Sequence, residues 1–126
     1  MTSTHPEQLA LSGTDFVTRL FEVIDGRRWD ELPTLFAEDC TYHRPGYDAI
    51  SGLDAVLRFY REERIISDGR HEIEHVTESD TSVACWGRFR GVGKDGRRLD
   101  ERFSDLYFLD GRKIRTRRTY FYRPAI

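Results

Sequence analysis

Two hydrophobic periods divide this chain. In its first half apolar residues recur every three or four positions, as in Val17, Leu20, Phe21 and Ile24, and again in Leu53, Val56, Leu57 and Tyr60. That spacing lays one apolar stripe along a helix. From Arg70 to Tyr122 apolar and polar residues alternate, the two-residue period of a strand with one buried face. Ser12-Gly-Thr-Asp15 reads as a helix start with Ser12 as cap, and Asp25-Gly26 as its stop. A second short helix carries Trp29, Leu32, Leu35 and Phe36 on one face, with Pro33 tolerable in its first turn. Cys40–Arg44 follows as a brief strand, ended by Pro45-Gly46, and Ser51-Gly-Leu-Asp54 repeats the capping pattern ahead of a third helix. The later strands are separated at 78–80, 94–96 and 110–111, and Asp-Gly at the last two is a hairpin signal. Three helices followed by a four-stranded antiparallel meander predict an α+β domain, with the helices on one face of a curved, mostly antiparallel sheet and a conical cavity between them.

Alternation places Leu99, Glu101, Phe103, Asp105 and Tyr107 on one sheet face, so an acidic residue stands in an apolar row. A two-residue loop at Asp95-Gly96 pairs Arg90 with Glu101, Arg88 with Phe103 and Trp86 with Asp105, bringing Trp86 beside the carboxylate. His71 and His75 bracket Ile73 on one face of the preceding strand, alternating with Glu72 and Glu74.

The 126 residues suffice for one domain, 1–126, with Met1–Leu11 expected as a loose arm. Twenty basic and 22 acidic residues give a formal net charge of −2, so no bulk attraction to nucleic acid is expected. The dense arginines around Arg88 and Arg115 read as an ion-paired, solvated sheet face. Cys40 and Cys85 lack metal or redox spacing and suit a reduced, cytoplasmic protein. No apolar run matches a membrane span and no signal pattern opens the chain.

The order of elements, Leu35-Phe-Ala-Glu-Asp-Cys-Thr-Tyr42, the Gly52-Leu-Asp-Ala-Val helix start, and Phe103-Ser-Asp-Leu-Tyr with Asp110-Gly-Arg-Lys-Ile114 resemble the nuclear-transport-factor-2-like superfamily. Within it, the SnoaL-like domains, including polyketide cyclases and ketosteroid isomerase, are most similar. The resemblance implies a cone-shaped barrel with a hydrophobic pocket, and a homodimer formed through the outer sheet face. It places Asp105 where ketosteroid isomerase keeps a protonated aspartic acid as an oxyanion donor. The isomerase's base falls at Arg44 and its oxyanion tyrosine near Leu20, residues that cannot do that work. Related cyclases and epoxide hydrolases often carry an aspartate where this chain has Thr119, and an Arg-x-Asp pair where Arg88 is followed by Phe89 and Arg90. The superfamily's register turns Arg115, Arg117, Thr119 and Phe121 toward the pocket, with Tyr42 and Arg44, and turns His43 outward.

These residues define the candidates. Asp105 is either an isolated, desolvated acid suited to acid–base work or half of an ion pair with Arg44 or Arg117. Arg44 either grips a substrate carboxylate or enolate, or clamps Asp105 or Glu101. His71 or His75 is either the proton shuttle or part of a hydrated strand. Tyr42 assists, Trp86, Phe103, Tyr107, Tyr60, Arg117 and Thr119 contact substrate, and Tyr47 stands at the mouth. No spacing suggests a metal site, and no cofactor is expected. The expected function is proton-transfer chemistry (cyclisation, isomerisation or dehydration) on a hydrophobic oxygenated small molecule. The alternative is a non-catalytic ligand-binding or accessory dimerisation domain.

Overall fold

Ser12 starts the first helix as its position predicts. In the computed structural model, which describes residues 12–123, helix α1 spans Gly13–Asp25. The expected N-terminal arm, residues 1–11, lies outside the described residues. The Ser12 hydroxyl accepts the Asp15 N–H at 3.0 Å, and the Glu78 carboxylate accepts the Gly13 N–H at 3.1 Å. Two otherwise unmet donors of the first turn are thereby satisfied. Phe16, Val17, Leu20, Phe21, Val23 and Ile24 form the buried stripe.

The second expected helix is one 3₁₀ segment, Trp29–Thr34. Pro33 sits inside it, and Leu35 and Phe36 leave to begin strand β1, Phe36–His43, which starts earlier than expected. Ser51 does not cap the third helix, because it belongs to the two-residue strand β2, Ile50–Ser51, and pairs with Thr41. Gly52, at φ +91°, makes the turn into helix α2, Leu53–Arg58, which continues as one π-helical turn, Phe59–Glu63. Four long strands follow: β3 Ile66–Glu78, β4 Ser82–Gly93, β5 Arg98–Asp110 and β6 Lys113–Phe121.

The six strands lie in the order β2-β1-β6-β5-β4-β3, with β1 and β6 parallel and the other neighbours antiparallel. The sheet is therefore mixed and open, with β2 and β3 as its edges, rather than a closed barrel. The helices pack on its inner face, where Leu20, Leu32, Phe36, Tyr107 and Ile114 are fully buried. No helix among the described residues is long and apolar enough to cross a membrane.

Three details of register decide which side chains face the helices. The β4–β5 loop holds three residues, 94–96, and closes through the Gly93 N–H to the Arg97 carbonyl at 2.8 Å, with Gly96 at φ +85°. Such a loop demands a left-handed glycine. It pairs Cys85, not Trp86, with Asp105, and Phe89 with Glu101. One residue of slip turns every side chain over, so Trp86 stands on the outer face, 48% exposed. Arg88 likewise meets Asp100, and Arg90 meets Glu72, in place of Glu101. The second detail is a bulge in β3. Ile73 pairs with Gly87 and His75 with Trp86, leaving Glu74 as the extra residue. His71 therefore points inward while His75 stacks on Trp86 outside, ring centroids 4.4 Å apart. A third irregularity, between Phe108 and Leu109, leaves Arg115 exposed beside Asp39 instead of facing the cavity.

The bulge brings β3 so close to β4 that a Cβ on Gly87 would lie 2.0 Å from the Glu72 carbonyl oxygen. A Gly87→Ala variant is expected to lose about 1–3 kcal/mol, since backbone must shift to admit the methyl group. Urea unfolding checks this, and an unchanged midpoint would show that the two strands admit the methyl group without cost.

Candidate functional site

Between the helices and the inner sheet face lies a cavity of about 280 Å³. Its apolar wall comes from Ile24, Phe59, Ile66, Phe89, Phe103 and Phe121, and its polar groups from Tyr42, Arg44, Tyr60, Glu63, Arg64, His71, Asp105, Arg117 and Thr119. Tyr47 and Ile65, about half exposed, flank its opening. An apolar hollow with a few convergent polar groups is the common form of a small-molecule site.

Asp105 has no solvent exposure. Alternation along β6 brings Arg117 and Thr119 to the same face, and Thr119 lies directly opposite Asp105. Asp105 Oδ1 accepts the Thr119 hydroxyl at 2.6 Å. Its Oδ2 accepts the Tyr107 hydroxyl at 2.6 Å, Arg117 Nη2 at 2.9 Å and Arg117 Nε at 3.2 Å. The carboxylate is thus half of an ion pair with Arg117, and the isolated acid is not the observed arrangement. Because Thr119 gives its proton to Asp105, its oxygen accepts from the Tyr42 hydroxyl at 3.2 Å. Arg117 Nη1 donates to the Tyr60 hydroxyl oxygen at 2.6 Å, which leaves the Tyr60 proton uncommitted. Tyr107, expected as a substrate contact, is fully buried behind Asp105 with its ring edge-on to Phe16, and does not line the cavity.

Burial pushes Tyr42 up to about 12 against the opposing effect of Arg117, and carries Tyr107 well above the ordinary phenol range. Both are neutral hydrogen-bond donors near pH 7. Burial acts to lower the Arg117 guanidinium, but Asp105 and the surrounding phenols outweigh it and hold the group above its ordinary range. The buried thiols are pushed up to about 11 at Cys40 and about 12 at Cys85, so neither is a nucleophile at neutral pH.

His71 and Asp25 form the second polar unit. The two Asp25 oxygens accept from the His71 backbone N–H at 2.8 Å and ring Nδ1 at 2.6 Å. A carboxylate only accepts, so Nδ1 carries the proton and Nε2 is the basic nitrogen available to the cavity. The ring is stacked on Phe21 at 4.1 Å and stands edge-on to Phe103 at 5.3 Å. This burial lowers the imidazole below its ordinary value of 6.5, with Asp25 opposing. His71 is therefore a neutral, oriented base at pH 7.

Arg44 lies between the rings of Tyr47 and Phe59, its guanidinium carbon 4.2 Å from each centroid. It clamps neither expected carboxylate, since Asp105 belongs to Arg117 and Glu101 to Arg123. Phe103, Tyr60, Arg117 and Thr119 line the cavity as expected, whereas Trp86 faces away from it. Asp25 and Arg64 were not expected here. Asp25 had a local signal: a carboxylate at a helix C-terminus opposes the helix dipole and needs a compensating partner. Arg64 had none.

A family model described as SnoaL-like domain matches residues 17–117. An NTF2-like protein of unknown function from Burkholderia pseudomallei superposes with a TM-score of 0.78 at 19% identity, over 86% of this chain and 89% of that one. A putative SnoaL-like polyketide cyclase from Jannaschia gives 0.76 at 16% identity, over 97% and 92%. An LEH-like epoxide hydrolase from M. tuberculosis gives 0.76 at 15% identity, over 86% and 81%. A Bacillus mycoides protein called probable endonuclease 4 is 30% identical over 93 residues, 71% of this chain. The match spans only 28% of that protein's length.

Proposed function

The chain belongs to the SnoaL-like domain family, and from that premise we propose a cofactor-independent enzyme that moves a proton on a hydrophobic oxygenated small molecule in the cavity. The observation that carries this reading is the His71–Asp25 pair, a neutral imidazole whose protonated nitrogen is engaged at 2.6 Å. Nε2 takes a proton from the carbon beside a carbonyl, and the electrons move onto the carbonyl oxygen. The Tyr60 hydroxyl, polarised by Arg117, donates to that oxyanion. Return of the proton to another carbon gives isomerisation; closure of the enolate on a second carbonyl gives cyclisation; loss of a β-hydroxyl, protonated by the imidazolium, gives dehydration. Asp105 does not transfer the proton here. It holds Arg117, Thr119 and, through Thr119, Tyr42 in place.

The test is solvent-deuterium exchange beside the carbonyl of 2-tetralone and of 4-oxo-4-phenylbutanoate, followed by NMR. Exchange above the buffer rate is expected for at least one ketone. Absence of exchange where calorimetry shows binding would replace the enzyme by a ligand-binding domain, a reading favoured by the full engagement of Asp105 in its own network.

The proposed macromolecular partner is a second copy of the chain. Trp86, Phe108 and Tyr120 stand 43–53% exposed on the outer sheet face. A Trp86→Glu, Phe108→Glu variant is expected to sediment as a monomer where the wild type sediments as a dimer, and a monomeric wild type would remove this partner. Nucleic acid is not proposed, because the outer-face arginines Arg88, Arg90 and Arg102 each meet a carboxylate.

A further inference from the structure

Arginine is the commonest cation of this chain, and nearly every copy is either paired or wet. Nine arginines among the described residues reach a carboxylate. Of the others, all but Arg44 and Arg64 are exposed. Arg44 is half-buried and Arg64 is 8% exposed, and both line the same cavity. Neither has an anionic partner among the described residues. Aromatic faces hold them instead: Arg44 between Tyr47 and Phe59, and Arg64 above Tyr60 at 5.4 Å and Trp29 at 5.9 Å. A ring face attracts the cation but does not satisfy the N–H groups in the guanidinium plane. Arg44 Nε is buried with no hydrogen-bond partner among the described residues, a state that native proteins seldom leave unfilled.

The charges around the cavity indicate what fills it. Arg44, Arg64 and Arg117 face Glu63 and Asp105, which leaves an excess of one positive charge when His71 is neutral. A monoanion balances that excess; a phosphate dianion overshoots it. The planar fork of a guanidinium also matches the two oxygens of a carboxylate. We infer that the cavity's ligand is a monoanionic organic carboxylate, with its acid group received by Arg44 and Arg64 and its apolar body along Phe59, Phe89 and Phe103. This inference rests on the cavity being the binding site proposed above.

Topology adds the placement of the acid group. Arg44 immediately follows β1, whereas His71 lies on β3, and β6, β5 and β4 intervene in the sheet. Arg44 and His71 therefore stand toward opposite sides of the cavity floor, with Arg64, two residues before β3, on the His71 side, and the carboxylate is a handle rather than the reacting group. Burial lowers the Arg64 guanidinium from its ordinary value, so an anion at this position also relieves an unfavourable desolvation.

The test compares 4-phenylbutanoate with the uncharged 4-phenylbutanamide, two molecules of nearly equal shape that undergo no turnover, by titration calorimetry on the intact wild-type chain. The carboxylate is expected to bind about tenfold to hundredfold more tightly, the range of a charge-assisted contact. Arg44→Gln and Arg64→Gln should each reduce the ratio of carboxylate to amide affinity, and Arg44→Lys should retain part of it. Equal affinity of the wild type for both ligands overturns the inference without any variant needing to fold. So does a preference that survives both Gln substitutions together, or binding of neither molecule. A carboxylate preference in a protein that exchanges no deuterium leaves this subsite standing and removes the enzymatic reading.

Discussion

An Asp105→Ala variant unfolds at a much lower urea concentration than the wild type, with a stability loss of about 3–5 kcal/mol. The substitution strips Arg117, 4% exposed, of the carboxylate it pairs with and deprives the Tyr107 and Thr119 hydroxyls of their acceptor. A charge left buried without a counter-charge costs more than the pair contributed, and against a total stability of about 5–15 kcal/mol the loss is large. Asp105→Asn keeps the shape but not the charge, and its amide group meets donors on both sides, so it also destabilises. The informative comparison is the double variant Asp105→Leu, Arg117→Met. Removing both charges and filling the space restores much of what either single change loses, a coupling that double-mutant cycles read directly. If Asp105→Ala unfolds within about 0.5 kcal/mol of the wild type, Asp105 is not the structural centre of the cavity floor.

That role was only half legible in the sequence. Alternation alone places Phe103, Asp105 and Tyr107 on one face, whereas Arg117 and Thr119 reach it only through the bulge after Phe108, a placement that the resemblance implied and the turn at Asp110-Gly111 does not. The helical stripe from Val17 to Ile24 and the Ser12 cap were equally plain, because both are local. Register was not. Lys94-Asp95-Gly96 serves a two- or a three-residue loop equally well by composition, and the choice turns Trp86 from a cavity residue into an outer-face one. Glu74 carries no mark of being the unpaired residue that separates His71 from His75. Partner choice was the other gap. Arg44 and Arg117 were comparable candidates for one acid, and only the assembled sheet shows that Arg117 takes it. Asp25 and His71 lie 46 positions apart, and no short-range pattern joins them.

His71→Gln is expected to slow proton exchange on whichever ketone the wild type accepts by about 10²–10⁴-fold, the usual contribution of a positioned base. Far-ultraviolet circular dichroism of the variant should match the wild type, so that the loss reads as chemistry. The pH dependence follows from the lowered imidazole. Near pH 7 the base is already neutral, so the exchange rate is flat there and falls as acid protonates Nε2 below the ordinary value of 6.5. Stability moves in the same direction for a related reason: on acidification the unfolded chain takes up its histidine proton before the native one does, so the folded state weakens as pH falls below about 6.5. Asp25→Asn separates orientation from proton transfer. The carboxylate opposes the effect of burial on His71, so its removal lowers the imidazole further. The acid limb of the profile then shifts to lower pH while the plateau rate drops, because a weaker and less firmly oriented base remains. A merely structural Asp25 would lower the plateau without moving the limb. Wild-type exchange in His71→Gln would mean that another group takes the proton and that His71 is not the base.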